Sequence, residues 1–378
     1  MTISAAATES GRRRDTAERV VHLVPALFDE RDGVIGGAER YVYELARHMA
    51  DVVPTRLVTF GTEDRTWRDG ALSINVLGHP WYVRGQRFNP FRARIAAEVA
   101  RCDVVHCHQQ HIVASSVAAV AARLTGRRVF CTDLGGGGFD ISTFVSTDGW
   151  YDGHLHISEY SRHVFGHDQR PGAHVIGGGV DTARFSPAPV PRSGHVVFVG
   201  RILPHKGIDG LIRALPADLP ARVIGRAPDA RYLADLQTLA AGKRVSFEHQ
   251  VDDAGIVSAY RSALCVVLPS VYDDMYGQHT NVPELLGQTL LEGMACGTPG
   301  VCTNVASLPE IVRDGVTGFV VPAHDPDALG AVLTRLASDA ALVERVGAAA
   351  AADVTARFSW PQVVQACLAH YRGERSAS

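Results

Sequence analysis

The chain has 378 residues, 46% hydrophobic and 20% charged, with a formal charge of −3 and a pI near 6.6. That length is enough for two domains with separate cores, and that balance excludes a chain-wide basic field, so nucleic acid is not an expected partner and any phosphate must be held by locally placed Arg, Lys and backbone amides. No apolar stretch approaches the roughly 18 residues needed to cross a bilayer, and Arg12, Arg13 and Arg14 precede no hydrophobic signal core, so a cytoplasmic protein with at most peripheral membrane contact is expected.

Residues 1–18, rich in Ala, Thr, Ser and Arg, read as a disordered lead-in. Short β-branched runs then alternate with helical apolar periods: "VVHLVPA", the helix "GGAERYVYELARHMA", "TRLVTF", "DVVHCH", the helix "IVASSVAAVAARLTG" and "RRVFCT". This alternation predicts parallel strands covered by helices. The glycines at 135–138 do not fit a dinucleotide fingerprint and read as a mobile acceptor-side loop or a plain hairpin turn. Pro187, Pro189 and Pro191 then interrupt both periods before a second series begins, "HVVFVG", "ARVIG", "RVSFE" and "CVVLPS", so a domain boundary is expected there. Two Rossmann-like units facing across a cleft follow, with ligands at the strand carboxyl ends. The final stretch, "FSWPQVVQACLAHYRG", predicts a helix with Val363, Val364, Cys367, Leu368 and Tyr371 on one face, packed either on the C-terminal domain or back on the N-terminal one.

The seven cysteines, at 102, 107, 131, 265, 296, 302 and 367, are odd in number, scattered and set in apolar runs, which predicts reduced structural thiols. His106, Cys107, His108 and His111 in "HCHQQH" have metal-like density but no second half of a zinc site, so a strand end facing a cleft is the expectation.

In "GRILPHKG", Arg201 and Lys206 bracket a turn containing Pro204. A guanidinium fork and a compact ammonium leaving one strand end suit a diphosphate, although both could be solvated turn residues. Gly287 opens the helical stretch "QTLLEGMA", closed by Gly297 and Pro299. The free amides of Gly287, Gln288 and Thr289 and the positive dipole end could hold phosphate, and the missing side chain at Gly287 is read as room for the ligand. Glu284 then faces whatever the phosphate carries, and Glu292 is placed to accept from a ribose diol. Acidic decoration of a helix terminus is the alternative for either glutamate.

Together "GGAERYVYELARHMA", "DVVHCH", "HISEYSR", "GGGVDTARFSP", "GRILPHKGIDGLIRAL", "DAGIVSAYRSALCVVLPS" and "ELLGQTLLE" with its continuation "GMACGTPGVCTNVASLPEIVRDGVTGFVVP" resemble the retaining, GT-B-fold glycosyltransferases of family 4, or group 1, over nearly the whole chain. The resemblance implies an N-terminal acceptor domain at 19–185, a donor domain at 186–357 and a C-terminal helix at 358–378. It implies that Arg201 and Lys206 bind the donor diphosphate, Glu284 the sugar hydroxyls and Glu292 the ribose. Gly287, Gln288 and Thr289 offer amides, Gly36 and Gly37 approach from the opposite domain, and Gly225 and Arg226 lie near the base. A nucleotide-diphosphate sugar is the implied co-substrate, with UDP the favoured carrier and GDP, ADP or TDP left open, since the carrier depends on pocket shape rather than on motif. Transfer goes with retention to a hydroxyl acceptor and requires no metal or further cofactor, in a monomer or homodimer. The family histidine before the loop aspartate is replaced by Thr132 before Asp133, so His108, His111 and Asp133 are the acceptor-side candidates. A same-fold epimerase or phosphorylase, or a non-catalytic sugar-nucleotide-binding subunit, are the rival readings, and a nicotinamide dehydrogenase lacks its G-x-G-x-x-G turn.

Overall fold

The computed structural model describes residues 18–26, 36–135 and 138–373. The expected lead-in therefore lies outside the described residues apart from Glu18, as do Gly136 and Gly137. The first half builds β1 (Val20–Leu23), α1 (Gly37–Ala50), β2 (Thr55–Gly61), β3 (Arg65–Asp69), β4 (Leu72–Gly78), β5 (Trp81–Tyr82), β6 (Pro90–Phe91), α2 (Ile95–Ala100), β7 (Val104–Cys107), α3 (Val113–Leu124), β8 (Arg128–Cys131), β9 (Gly153–His156), α4 (Glu159–Val164) and β10 (Ala173–Val175). Eight of these strands form one sheet in the order β10-β9-β8-β7-β1-β2-β4-β3, parallel throughout except for β3 on β4. The central strands β1 and β7 are buried along their whole length, as expected for parallel strands covered on both faces.

The second half builds β11 (His195–Val199), α5 (Ile208–Ala214), β12 (Ala221–Ile224), α6 (Ala230–Leu239), β13 (Val245–Glu248), α7 (Asp253–Ser262), β14 (Ala263–Leu268), α8 (Gln288–Ala295), β15 (Gly300–Thr303), α9 (Leu308–Ile311), β16 (Gly318–Val321), α10 (Pro326–Ser338), α11 (Ala340–Arg357) and α12 (Trp360–Arg372). Its sheet is parallel throughout, in the order β13-β12-β11-β14-β15-β16. Two α/β domains thus present strand carboxyl ends to a shared cleft, the GT-B arrangement. All seven cysteines are buried free thiols, and burial pushes Cys107 and Cys367 up to about 12.

Helix α12 lies on α1 and the N-terminal sheet. Trp360 packs on Tyr41 (5.3 Å between ring centroids) and His48 (5.9 Å), and Tyr371 packs on Phe130 (4.9 Å). Its polar anchor is traceable proton by proton. Thr132 Oγ1 donates its only proton to Leu155 O (2.6 Å), so it accepts from His106 Nε2–H (2.8 Å); His106 Nδ1 then accepts from the Tyr371 hydroxyl (2.6 Å). Removing that hydroxyl leaves a buried imidazole nitrogen unpaired, so Tyr371→Phe is expected to cost about 1–3 kcal/mol in urea denaturation. The same region explains the run of three glycines before Val180: a Cβ on Gly178 would stand 2.4 Å from Leu286, and one on Gly179 would stand 2.3 Å from Trp360. The segment passes between donor domain and crossing helix only without side chains.

Candidate active site

Beyond β11, the chain leaves the sheet through Gly200 and Arg201, turns at Pro204–Lys206 and enters α5. The turn aims Lys206 back at the loop preceding α8, where Nζ meets Glu284 Oε1 at 2.5 Å. Ser270, two residues past β14, donates to the same oxygen at 2.8 Å. Glu284 is 8% exposed, so this is a buried ion pair in which each charge would be costly alone. Arg201 is exposed at the same strand end. Burial first, and then the Lys206 cation, hold the His205 imidazole down to about 4, so the turn carries two positive charges at neutral pH rather than three. Gly225 follows β12 with its N–H on Glu248 O (2.8 Å), and Arg226 O accepts from Ile202 N (2.8 Å), which sets Arg226 beside the Arg201 turn.

Helix α8 begins as its sequence predicts, with Gly287 at the N-cap in the left-handed region (φ 81°). The reason for glycine differs from the expected one. A Cβ would stand 2.8 Å from Leu308 Cδ2 and 3.2 Å from Ile311 Cδ1, so backbone conformation and the packing of α9 already demand glycine without a ligand. Gly287→Ala is accordingly expected to destabilise the fold by about 1–3 kcal/mol, read as a lower urea midpoint at unchanged slope. The first amides of α8 have no intrahelical acceptor and carry the positive end of the dipole.

Glu292, one turn into α8, is 6% exposed, with Oε2 3.3 Å from the Tyr260 hydroxyl. Burial raises its carboxyl above the usual range, and Arg40, reaching over from α1, is the largest opposing influence. The Arg40 guanidinium lies 3.0 Å from both oxygens of Asp253. Arg40, Tyr41, Arg184, Phe185, Gln288 and Glu292 line a small recess where the domains meet. Glu292, expected to accept from a ribose diol, thus stands in the wall of this recess.

Gly36 and Gly37 stand at the opening of α1, and a Cβ on Gly36 would lie 2.9 Å from Glu39 Oε2. Burial raises the Glu39 carboxyl, while Arg201 across the cleft favours its ionised form. Glu39 and Arg40 are site residues that sequence reasoning passed over. The signal available was an acid–base pair two residues after a glycine pair, in the first turn of a helix.

Of the acceptor-side candidates, His108 is placed elsewhere. It is 2% exposed, its Nε2 lies 2.8 Å from His22 Nδ1, and burial holds its pKa well below the ordinary value. It belongs to a ring cluster with His22 and His106 inside the sheet, not to the cleft surface. His111 is half-buried, with Nδ1 2.9 Å from Ser142 Oγ. Asp133, 8% exposed, accepts from the amides of Gln110 (3.2 Å) and Gly135 (3.0 Å), and burial raises its carboxyl. A Cβ on Gly135 would be 3.2 Å from Leu285 Cδ1, so the Asp133 loop touches the neighbour of Glu284.

The loop carrying Glu284 is pinned to the opposite domain. Ser158 Oγ donates to Leu285 O (2.6 Å), and Tyr160 OH donates to Asn281 O (3.1 Å). The Glu310 carboxylate, from α9, accepts from the amides of Glu159 (2.8 Å) and Tyr160 (2.7 Å) at the start of α4. Position of Glu284 is therefore coupled to how the domains meet.

Residues 180–353 match the family described as glycosyl transferases group 1, and residues 35–184 match glycosyltransferase family 4. A phosphatidyl-myo-inositol mannosyltransferase of Mycobacterium leprae is 30% identical over 386 residues, covering 93% of this chain and 96% of that relative. The chain belongs to the family 4, group 1 glycosyltransferases. This glycosyltransferase is also 36% identical, over 225 residues, to a D-inositol 3-phosphate glycosyltransferase of Mycolicibacterium vanbaalenii; that match takes 52% of the chain and spans about half, 47%, of the relative. Its fold is similar to that of Anabaena HepE solved with UDP-glucose, with a TM-score of 0.70 and 19% identity over 94% of this chain and all of that one. No helix among the described residues is long and apolar enough to cross a membrane.

Proposed function

We propose that this glycosyltransferase moves a sugar, with retention, from a UDP-linked donor held mainly by the C-terminal domain to an acceptor hydroxyl presented by the N-terminal domain. The observation that carries the reading is the Lys206–Glu284 pair, which joins a cation and a buried carboxylate directly before the open amides of α8. A diphosphate resting on Gly287, Gln288 and Thr289 takes charge-assisted hydrogen bonds from Lys206 and Arg201. As the sugar–oxygen bond breaks, charge grows on the leaving phosphate, where fixed amides and the two cations stabilise it most.

Glu284 orients the sugar. Its Oε1 already accepts from Lys206 and Ser270, so Oε2 takes the sugar hydroxyls, and a carboxylate held in this way is a poor nucleophile. The ribose diol enters the recess beside Glu292, where hydrogen bonds to a buried carboxylate offset its desolvation. Retention follows when the departing phosphate receives the acceptor proton on the face from which the acceptor arrives. Asp133 and His111 lie on the acceptor side, with the Asp133 loop against Leu285. The UDP assignment is supported by the fold-level likeness to HepE, solved with UDP and with UDP-glucose.

Thermal shift against a panel of nucleotide sugars tests the donor, since a ligand that binds the native state raises stability by RT ln(1 + [L]/Kd). UDP-sugars are expected to give the largest shift, and product formed from that donor should keep its anomeric configuration by NMR. A larger shift from GDP- or ADP-sugars contradicts the UDP assignment, and an inverted product contradicts retention.

A further inference from the structure

We propose that Asp148, His154 and His167 form a binding site for a divalent transition-metal ion of the zinc class, built into the N-terminal domain beside the acceptor loop. Asp148 opens the short turn before β9, His154 lies on β9, and His167 follows α4, so three separate segments converge. One carboxylate oxygen and one nitrogen from each imidazole lie within 4.8 Å of one another. His167 Nε2 stands 3.8 Å from Asp148 Oδ2, and two ligands of a tetrahedral zinc, at about 2.0–2.1 Å from the metal, stand roughly 3.4 Å apart. His154 is 2% exposed, and its Nε2 is buried without a hydrogen-bond partner, a state that costs free energy unless something coordinates it.

The surroundings match those of a ligated metal. Gln110 Nε2 donates to Asp148 Oδ1 (2.6 Å), fixing the carboxylate and leaving Oδ2 toward the imidazoles. His156 Nε2 lies 3.1 Å from His167 Nδ1; when it accepts that proton, His167 Nε2 carries a lone pair. Outer partners of this kind hold metal-ligating histidines in one tautomer. Arg170, with Nη1 3.6 Å from Asp148 Oδ2, is the one cation that the metal must displace from that oxygen among the described residues.

Two other groups of candidate ligands are already satisfied. In His22, His106 and His108, both nitrogens of His106 bond Thr132 and Tyr371, and both nitrogens of His22 meet His108 and Met49, leaving only His108 Nδ1. In Glu44, His48 and Asp181, Arg47 bridges the two carboxylates at 2.9 and 3.2 Å. Two imidazoles and a carboxylate are a donor set that suits zinc and cobalt better than magnesium or calcium.

Titration of the chelator-treated full-length protein with Co²⁺, followed by visible d–d absorption, tests the assignment. One equivalent per chain is expected to give a band that Zn²⁺ abolishes. His154→Ala and His167→Ala should each remove it, with the fold checked by circular dichroism. Asp148→Asn, altering a partly exposed side chain, should weaken Co²⁺ binding at least tenfold even if a histidine variant fails to fold. Absence of a band in the wild type, or an unchanged band in Asp148→Asn, overturns the proposal. So does loss of the band in His108→Gln with retention in His154→Ala.

Discussion

Lys206→Ala is expected to lower kcat/KM on the order of 100-fold, mostly through kcat, whereas Arg201→Ala lowers it by more than tenfold with a larger share in KM. The difference follows from placement. The Lys206 side chain is 14% exposed and anchored on Glu284, so it is preorganised where leaving-group charge develops, and removal of one such donor typically costs about 10²–10³ in rate. Arg201 is exposed and must be drawn onto the diphosphate, so it contributes to ground-state binding as well. Lys206→Ala also leaves Glu284 buried without its cation, and Glu284→Gln tests the other half of the pair: it removes the carboxylate that orients the sugar and leaves Lys206 without its counter-charge. Steady-state kinetics with purified, folded variants decide the matter, and wild-type rates in both Lys206→Ala and Arg201→Ala would refute the donor-site assignment.

A steep loss of stability in mild acid is the second large effect expected. His22, His106 and His108 are 0%, 0% and 2% exposed, and burial holds His22 down to about 3 and the other two well below 6.5. Their folded pKa values are depressed, so the stability they contribute is present above about pH 6.5 and is lost as pH falls, because the unfolded chain then binds protons that the folded one refuses. Below that point each such group removes about 1.4 kcal/mol per pH unit. Three acting together consume a typical domain stability of about 5–15 kcal/mol within a few pH units. Melting temperature measured by calorimetry should stay level from pH 8 to pH 7 and fall sharply below about pH 6. A level curve down to pH 5 would show that the cluster opens to solvent before the fold melts.

Much of the fold was legible because parallel strands buried on both faces are written as unbroken β-branched runs. β1, β2, β7, β8, β11, β12 and β14 all coincide with such runs, while the edge strand β13, "VSFE", is only partly buried and was legible from its alternation instead. β9, "GHLH", does not look like a buried strand, since its histidines become apolar-tolerant only through the ring contacts that tertiary structure supplies. β3, "RTWRD", is an exposed edge strand that pairs antiparallel with β4, and its polarity hides it. The α8 start was readable from Gly287, though the reason for the glycine was not, because Leu308 and Ile311 approach from another helix.

At the site, residue types and local motifs were legible while pairings were not. Glu284 and Lys206 are 78 positions apart, and no periodicity announces that they share a proton-rich contact. Tyr371 and His106, 265 positions apart, show the same limit at larger separation. His108 was misplaced because the alternation that marks a strand end does not say whether its last side chain turns toward the cleft or into the sheet.

The position of the two phosphates decides the donor-site assignment. A crystal structure with the nucleoside diphosphate that gives the largest thermal shift should place them within about 3 Å of the Gly287–Thr289 amides, with Lys206 and Arg201 turned onto their oxygens. A nucleotide bound elsewhere, or those two side chains turned out of the groove between the domains, would contradict it.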